Sequence, residues 1–335
     1  MNRLVILAPN WLGDAVMALP AIADVRRAAP RTHITVAARP SVAPMFSLAS
    51  AVDEVVTLTR KASLGRVSSW RELGVEIAGG GFDTALLLPN SMHAALMASR
   101  AGIPNRWGYK TAFRSGLLTR GVHAPSGVHQ VEYYQHLVHG LGFPNGPVEP
   151  QLPVPAAARA AGADALRAAG WDGHAKLAAI APGAAYGGAK RWPPQAFAEL
   201  IDALTVDGVQ SVLIGSQADA GTGAEVMSRL AQREAVLNLI GRTDLAALAG
   251  VLAQCRALIT NDSGAMHLGA AVGVSVTALF GPTDERATRP MGDPHVVIAH
   301  DVWCRPCLLR ECPLDHRCMR RIQPATVLEA ARRTL

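Results

Sequence analysis

The motif richest in potential chemistry lies in the second half of the chain. Residues 258–267 read LITNDSGAMH, so Asp262, Ser263 and Gly264 follow a predicted buried strand and precede a predicted apolar helix. The first backbone amides of a helix have no partner within it and carry the positive end of its dipole, so they bind anions. The motif therefore predicts a phosphate-binding turn, with His267 on the following helix. Capping of that helix by Asp262 or Ser263 is an alternative that is compatible with anion binding.

A glycine-rich loop follows another predicted strand. Residues 181–193 read APGAAYGGAKRWP. Glycines let the backbone approach a phosphate closely, and Lys190 adds a point charge. The loop lacks the Gly-Lys-Ser/Thr of a Walker A motif, so it predicts phosphate binding of another type. A further strand-to-loop junction, residues 280–284 (FGPTD), is expected beside the turn at 262–264.

The loop after the first predicted strand carries an acidic residue. Residues 8–14 read APNWLGD, and ligands of open α/β sheets bind at the carboxyl ends of strands. The loop has too few glycines for the G-x-G-x-x-G dinucleotide motif, which weakens an NAD-binding interpretation. Asp14 is either the N-cap of the next helix or a catalytic carboxylate, and its position alone leaves both open.

Four cysteines cluster near the C-terminus. Cys304, Cys307, Cys312 and Cys318 are spaced C-x2-C-x4-C-x5-C, with His316 among them. This spacing suits a small structural zinc site, although a second C-x2-C pair is missing. Packing of reduced thiols is the alternative. A metal here would be structural, because nothing nearby resembles an open catalytic position.

A basic stretch with interleaved aromatic residues spans residues 100–120. We interpret it either as a solvated face or as a surface for the phosphates of a lipid-linked substrate. Its cations are Arg100, Arg106, Lys110, Arg114 and Arg120, and its aromatic residues are Trp107, Tyr109 and Phe113.

The bulk composition limits the function classes. The chain has 335 residues, of which 50% are hydrophobic and 17% charged, which excludes a disordered chain and suits two domains. No apolar run reaches the roughly 18 to 20 residues of a membrane span, and no secretory signal is recognisable, so a cytoplasmic protein is expected. The net charge of +6 predicts an anionic partner: nucleic acid, anionic lipid or a phosphorylated substrate.

Short apolar runs alternate with alanine-rich helical stretches, which predicts an α/β protein with parallel sheets. Between two of these runs, Phe197, Leu200, Ile201 and Leu204 have the spacing of a helix with one buried face. The proline-rich stretch 142–155 predicts a linker between domains of residues 1–155 and 156–335, the second carrying the cysteine-rich segment 304–318. The predicted strands cover residues 4–8, 34–38, 52–58, 84–88, 177–181, 211–214, 236–240, 257–260 and 274–280.

Several of these motifs together resemble one enzyme family. The segments are NWLGDAVMALPAI, PGAAYGGAKRWP, TNDSGAMHLGAAVG, LFGPTDE and the cysteine-bearing CRPCLLRECPLDHRCM. In this order they resemble glycosyltransferase family 9, the ADP-heptose:lipopolysaccharide heptosyltransferases, and in particular the heptosyltransferase II branch. The resemblance covers nearly the whole chain.

The resemblance implies a GT-B fold, in which two Rossmann-like, doubly wound parallel-sheet domains have a cleft between them. It also implies that the N-terminal domain binds the acceptor and the C-terminal domain the nucleotide sugar. The implied reaction is an inverting, metal-independent transfer of L-glycero-D-manno-heptose from ADP-heptose to the first heptose of the lipopolysaccharide inner core. The implied acceptor is heptosyl-Kdo-lipid A, whose lipid would bring the enzyme into peripheral contact with the anionic inner membrane leaflet.

By resemblance, Asp14 is the general base that deprotonates the acceptor hydroxyl. Some relatives carry a ribose-binding glutamate where this chain has Gln217, so ADP as the nucleotide rests on the family alone. Acceptor choice is expected to depend on loops such as 61–71 and 105–120. The implied donor-binding residues are Lys190, Gln217, Thr243, Asp262, Ser263, Gly264 and His267. The predicted acceptor-binding residues are Asn10, Trp11, Gly13, Arg114 and Arg120.

Three other functions remain open. A sister enzyme of family 9 would add the first heptose or another sugar. A sugar-nucleotide epimerase would need more acid/base carboxylates than Asp14 and Asp262 supply. A nucleic-acid-binding module would need a recognisable nucleic-acid motif, and the basic residues are instead spread over the chain.

Overall fold

The computed structural model of the chain describes residues 1–59 and 74–335. These residues form two compact units, Met1–Pro150 and Gln151–Leu335. No helix or strand lies between Gly140 and Ala156, the stretch that contains the predicted linker. The predicted specificity loop at residues 61–71 lies outside the described residues. No helix within the described ranges is long and apolar enough to cross a membrane.

The first unit is built on a six-stranded parallel sheet. Its strands are β1 Arg3–Leu7, β2 His33–Ala38, β3 Glu54–Thr57, β4 Thr84–Leu87, β5 Asn105–Tyr109 and β6 Arg120–Val122. They lie in the order β3-β2-β1-β4-β5-β6, so the chain first builds outward from β1 and then returns to its other side. The loops after β1 and β4 therefore diverge, which leaves a crevice for ligands at this switch point.

The second unit repeats this topology. Its strands are β7 Leu177–Ala181, β8 Gln210–Leu213, β9 Leu237–Asn238, β10 Ala257–Asn261, β11 Ser275–Phe280 and β12 Val296–Ala299. They form another six-stranded parallel sheet in the order β12-β11-β10-β7-β8-β9. Its switch point lies between β7 and β10, so the loops after these two strands are expected to form a ligand site.

Helices connect the strands of both sheets. In the first unit they are α1 Leu12–Met17, α2 Leu19–Ala28, α3 Ala43–Phe46, α4 Val75–Ala78, α5 Met92–Arg100 and α6 Gln130–Gly140. In the second unit they are α7 Ala156–Ala168, α8 Pro194–Val206, α9 Ala220–Arg229, α10 Leu245–Leu252, α11 Gly264–Ala271, α12 Glu285–Thr288, α13 Arg317–Arg320 and α14 Pro324–Arg332.

The core of the second unit forms where α8 packs on the sheet. The apolar side chains of α8 (Phe197, Leu200, Ile201 and Leu204) are all fully buried, which confirms the predicted helix face. Trp192, just before α8, is also fully buried and packs edge-on against Phe197, with 4.9 Å between the ring centres. Its indole N–H donates to the Ile322 carbonyl at 3.0 Å, so the ring is buried without an unsatisfied donor.

The predicted α/β class with two parallel sheets is confirmed, but three strands were missed. β5, β6 and β12 lie at the outer parts of the sheets, where burial is incomplete. β5 reads NRWGY and β6 reads RGV, so their cations led us to interpret them as surface. The predicted strand 236–240 is also shorter than expected, since only Leu237–Asn238 pairs with β8.

Candidate active site

The switch point of the second sheet brings an acidic and a basic side chain into direct contact. Lys190 ends a short 3-10 turn (Gly188–Lys190) after β7, and Asp262 directly follows β10. The two strands are neighbours, so their following loops meet. The Lys190 Nζ lies 2.5 Å from the Asp262 Oδ2, and the two side chains are 13% and 5% exposed. Two predicted donor-binding residues are thus brought together although 72 positions separate them in the chain.

Two polar residues that the sequence analysis did not single out hold this pair in place. The Thr283 hydroxyl, in the loop after β11, donates to the Asp262 Oδ2 at 2.7 Å. The Asn261 side-chain oxygen accepts from the Trp192 N–H at 3.0 Å, and its amide nitrogen donates to the Pro182 carbonyl at 2.8 Å. Both residues lie inside motifs that were recognised: Asn261 precedes Asp262 in the chain, and Thr283 lies in the 280–284 junction that was expected beside the turn at 262–264.

The start of α11 lies directly after Asp262. Ser263 occupies the N-cap position, but neither it nor Asp262 caps the helix with its side chain. The Ser263 hydroxyl lies 3.2 Å from the Thr260 hydroxyl instead, and the Asp262 carboxylate contacts Lys190 and Thr283. Ser263 is therefore the N-cap residue by position, as one alternative held, but it makes no side-chain capping bond. The first amides of α11 are left to other acceptors, which is the arrangement that binds anions.

The remaining predicted donor residues lie around the same sheet edge. His267 is buried one turn into α11. Gln217 is exposed in the turn after β8, close to Gly241 in the loop after β9. A Cβ atom at Gly241 would lie 2.2 Å from the Gln217 Oε1, and the φ of +72° there also favours glycine. Thr243 follows two residues later and is half-buried.

Asp14 lies in the first turn of α1, at the switch point of the first sheet. The N-cap of α1 is Trp11, so the interpretation of Asp14 as the N-cap is wrong. Its neighbour Tyr134, on α6, has a pKa raised above its ordinary value by burial and, to a smaller degree, by the negative charge of Asp14. Tyr134 therefore remains neutral beside the carboxylate.

The predicted acceptor residues divide into exposed and buried ones. Asn10 and Trp11 are exposed in the loop after β1, and Gly13 is half-buried in α1. Arg120 is exposed in β6, with its guanidinium carbon 5.5 Å from the centre of the Trp107 ring. These residues are accessible to a ligand. We retain them as predictions.

Arg114 is placed differently from what we predicted. Its side chain is fully buried, and its guanidinium donates to the Tyr109 carbonyl at 3.0 Å, to the Ser91 carbonyl at 3.3 Å and to the Pro89 carbonyl. Burial lowers the pKa of Arg114 below its ordinary value. The guanidinium joins the turn after β5 to the loop after β4, so this placement favours a structural role over contact with an acceptor.

Arg106 is also engaged in the fold, which weakens the predicted basic surface. Its guanidinium donates to the Leu117 and Ile103 carbonyls, both at 2.7 Å. Lys110 and Arg120 are exposed. Phe113 is completely exposed at a turn where its φ is +57°.

The four clustered cysteines surround one small cavity. Cys304, Cys307, Cys312 and Cys318 line it together with Arg317 and other residues, and all four thiols are free. Burial raises the pKa of Cys318, and the nearby thiols add to this shift. Nevertheless, among the described residues no group of three or more metal-binding side chains stands in a position to hold a metal ion.

Comparison with known proteins places the chain among sugar-transferring enzymes. The sequence model of glycosyltransferase family 9 (heptosyltransferase) matches residues 70–317. This chain belongs to glycosyltransferase family 9. It is 31% identical to lipopolysaccharide heptosyltransferase 2 of Escherichia coli K12 over 300 residues, which cover 86% of this chain and 85% of that protein. Its identity to lipopolysaccharide heptosyltransferase 2 of Salmonella typhimurium LT2 is also 31%, over 302 residues that cover 86% of this chain and 85% of that protein.

A solved structure agrees with the sequence matches. The structure of the E. coli ADP-heptose lps heptosyltransferase II has a TM-score of 0.85 and 30% identity, covering 100% of this chain and 98% of that chain. The predicted family, the GT-B fold and the assignment as a glycosyltransferase are thereby confirmed.

Proposed function

We propose that this glycosyltransferase moves L-glycero-D-manno-heptose from ADP-heptose to the first heptose of the lipopolysaccharide inner core. The proposal is carried by one observation. The sequence is 31% identical to lipopolysaccharide heptosyltransferase 2 of E. coli over 86% of the chain, and the residues that match the family model, 70–317, include the Lys190–Asp262 cluster. The acceptor is then a heptosyl-Kdo-lipid A, and the second unit holds the donor.

The donor assignment follows from charge and hydrogen-bonding capacity. The diphosphate is an anion, and the uncapped amides of Ser263 and Gly264 with the Lys190 ammonium are suited to bind it. Asp262, an acceptor-only group when ionised, is suited to hold hydroxyl groups of the sugar. We assign Gln217 to donate to a ribose oxygen and Thr243 to approach the base. His267, buried one turn into α11, is retained as a donor-binding residue.

The proposed reaction is a single displacement. Asp14 takes the proton from the acceptor hydroxyl, and the oxygen attacks the anomeric carbon of the donor heptose. The bond from that carbon to the diphosphate oxygen breaks, ADP leaves with the electron pair, and the configuration inverts. Lys190 and the α11 amides stabilise the negative charge that grows on the leaving diphosphate. This chemistry needs no metal, so we expect turnover to persist in excess EDTA.

Acceptor-dependent ADP release tests the proposal. Purified protein is mixed with ADP-heptose and heptosyl-Kdo-lipid A, and ADP is measured for wild type, Asp14→Asn and the control Asp164→Asn, an exposed carboxylate elsewhere. We expect Asp14→Asn to lose about 10²- to 10⁴-fold in turnover while retaining ADP affinity, because a general base contributes roughly that much. Turnover only with an acceptor lacking heptose would indicate a sister enzyme. No binding of ADP-heptose by wild type would contradict the proposed donor.

We further propose that the enzyme works on the cytoplasmic side and touches the anionic inner leaflet. This rests on the net charge of +6 and on exposed Lys110, Arg120 and Phe113. Arg106 and Arg114 are engaged with carbonyl groups, so charge reversal there would disturb the fold and would not isolate membrane binding. The test is retention on anionic vesicles, which Lys110→Glu with Arg120→Glu should weaken. Retention that is unchanged contradicts membrane contact by this face.

A structural zinc at Cys304, Cys307, Cys312 and Cys318 also remains a proposal. All four thiols line one cavity, although among the described residues no group of three or more metal-binding side chains stands in position to hold a metal ion. Metal analysis of protein purified without chelator tests this. One zinc per chain that is lost in Cys307→Ser supports it, and metal-free protein with full activity contradicts it.

A further inference from the structure

The cysteine-rich segment carries an exposed arginine beside the proposed diphosphate site. The Arg310 guanidinium carbon lies 5.1 Å from the centre of the Tyr186 ring, and the Lys190 Nζ lies 4.9 Å from the same centre. One aromatic ring therefore attracts two cations. Lys190 is already paired with Asp262, whereas no carboxylate in the described part of the chain forms an ion pair with Arg310.

Backbone contacts fix the position of Arg310 against the glycine-rich loop. Its carbonyl accepts from the Ala189 N–H at 2.9 Å. A Cβ atom on Gly187 would lie 2.2 Å from that carbonyl oxygen, so the two backbones approach as closely as they do only because residue 187 is glycine. The neighbouring Glu311 carboxylate accepts from the Gly188 N–H at 3.0 Å. The position of Arg310 is therefore coupled to that of Lys190, one residue after Ala189.

The same segment is bound to the loop that carries Thr283. The Leu308 N–H donates to the Pro282 carbonyl at 2.9 Å, and the Leu308 carbonyl accepts from the Tyr186 hydroxyl at 3.0 Å. The Arg305 guanidinium donates to the Gly281 carbonyl at 3.0 Å. The segment thus joins the loops after β7 and β11, which supply Lys190 and Thr283 to the Asp262 cluster.

We propose that Arg310 is a second cation of the diphosphate site, presented there by the cysteine-rich segment. The proposal rests on the proposed function, since its ligand is the diphosphate of a nucleotide sugar. A diphosphate carries more negative charge than one lysine can neutralise, and that lysine also serves Asp262. The guanidinium offers paired N–H donors that match phosphate oxygens. Tyr186 orients it through the cation–π contact and leaves these in-plane donors available.

Binding of a graded set of nucleotides tests this role. Affinities for ADP, AMP and adenosine are measured by calorimetry for wild type, Arg310→Gln and Arg310→Lys. The control is Arg229→Gln, which removes the charge of the last residue of α9. We expect Arg310→Gln to weaken ADP binding about tenfold, because a charge-assisted contact to phosphate is lost. AMP should lose less and adenosine nothing. Arg310→Lys should lie between, and the control should match wild type.

Three outcomes would overturn the proposal. Equal ADP affinity in wild type and Arg310→Gln would mean that Arg310 does not contact the diphosphate. An equal loss of ADP and adenosine affinity would mean that the variant distorts the loop. If wild type itself binds neither ADP nor ADP-heptose, both this proposal and the proposed function fail. If wild type and Arg310→Gln bind ADP equally tightly, only the role proposed for Arg310 is contradicted.

Discussion

Lys190 and Asp262 form a buried ion pair, with 2.5 Å between Nζ and Oδ2, although one residue is assigned to the phosphates of the donor and the other to its sugar. Asp262 is the more buried partner and has one further bond, from Thr283. Loss of Lys190 would therefore leave a carboxylate in the interior with one hydroxyl to solvate it. Loss of Asp262 would leave an ammonium on a flexible stem that can turn towards water.

This asymmetry predicts a strong coupling between the two charges. We expect Lys190→Met to lower the free energy of unfolding by about 3 kcal/mol, because it leaves a buried unpaired charge. The double variant Lys190→Met/Asp262→Asn should recover at least about 1 kcal/mol of that loss, since no charge remains buried. Urea unfolding of wild type, Lys190→Met, Asp262→Asn and the double variant gives the double-mutant cycle, from which the coupling free energy is obtained.

A surface pair provides the matched control for that cycle. The Arg332 guanidinium contacts the Asp207 carboxylate at 2.8 and 2.9 Å, but both groups are open to solvent. Arg332→Met should change the stability much less than Lys190→Met, because water solvates the carboxylate that remains. Additive effects at Lys190 and Asp262, or equal losses in the buried and surface variants, would contradict the importance of burial.

Thr283 is predicted to position the Asp262 carboxylate for the sugar. Thr283→Val keeps the shape of the side chain but removes the hydroxyl that donates to Oδ2 at 2.7 Å. We expect kcat to fall about tenfold with ADP affinity unchanged, because a carboxylate that is less well oriented loses hydrogen bonds made in the transition state. Thr283→Ser should restore most of the rate. A loss of ADP affinity that matches the loss of rate would indicate a general disturbance of the loop.

The individual site residues were predictable because each follows an apolar strand in a recognisable loop. Lys190 and Asp262 both lie after runs that read as buried strands, and parallel strands place such loops at one edge. Their direct contact was not predictable, because the sequence does not state that β10 pairs with β7 and not with β9. That pairing order is a property of the whole sheet.

Two placements differ from what the local sequence suggests, and they have a common physical cause. Arg114 was predicted to bind the acceptor because it lies in the basic stretch 100–120. Its guanidinium instead donates to three backbone carbonyls and to the Asn90 side-chain oxygen, and these acceptors converge only in the folded unit. Asp14 was weighed as an N-cap because helix starts are read from local sequence, yet α1 begins three residues earlier than that interpretation requires. Both outcomes depend on tertiary contacts that no local pattern encodes.

Helices α7 and α10 are predicted to depend on two glycines for their close packing. A Cβ on Gly250 would lie 1.9 Å from the Ala158 carbonyl oxygen, and one on Gly162 would lie 2.2 Å from the Gly250 carbonyl carbon. Gly250→Ala should therefore lower the free energy of unfolding by about 3 kcal/mol, because the backbones must separate. Gly221→Ala, in α9, has nothing within 4 Å of the added methyl group and should be neutral or stabilising by about 0.5 kcal/mol. Chemical unfolding measures the free energy of unfolding of both variants. Equal changes in Gly250→Ala and Gly221→Ala would contradict the packing argument.

The pH dependence of stability is predicted to involve His93, at the start of α5. Burial and the positive charge of Arg39 lower the pKa of His93 below its ordinary value, and its Nε2 has no hydrogen-bond partner among the described residues. A histidine whose pKa is lower in the folded than in the unfolded chain protonates more readily when unfolded. Stability is therefore unaffected well above pH 6.5 and falls as the pH drops below that value.

We expect His93→Gln to reduce the fall in melting temperature between pH 7.5 and 5.5. The control His139→Gln, at an exposed site on α6, should keep the wild-type difference. The same fall in wild type and His93→Gln would show that other groups cause it.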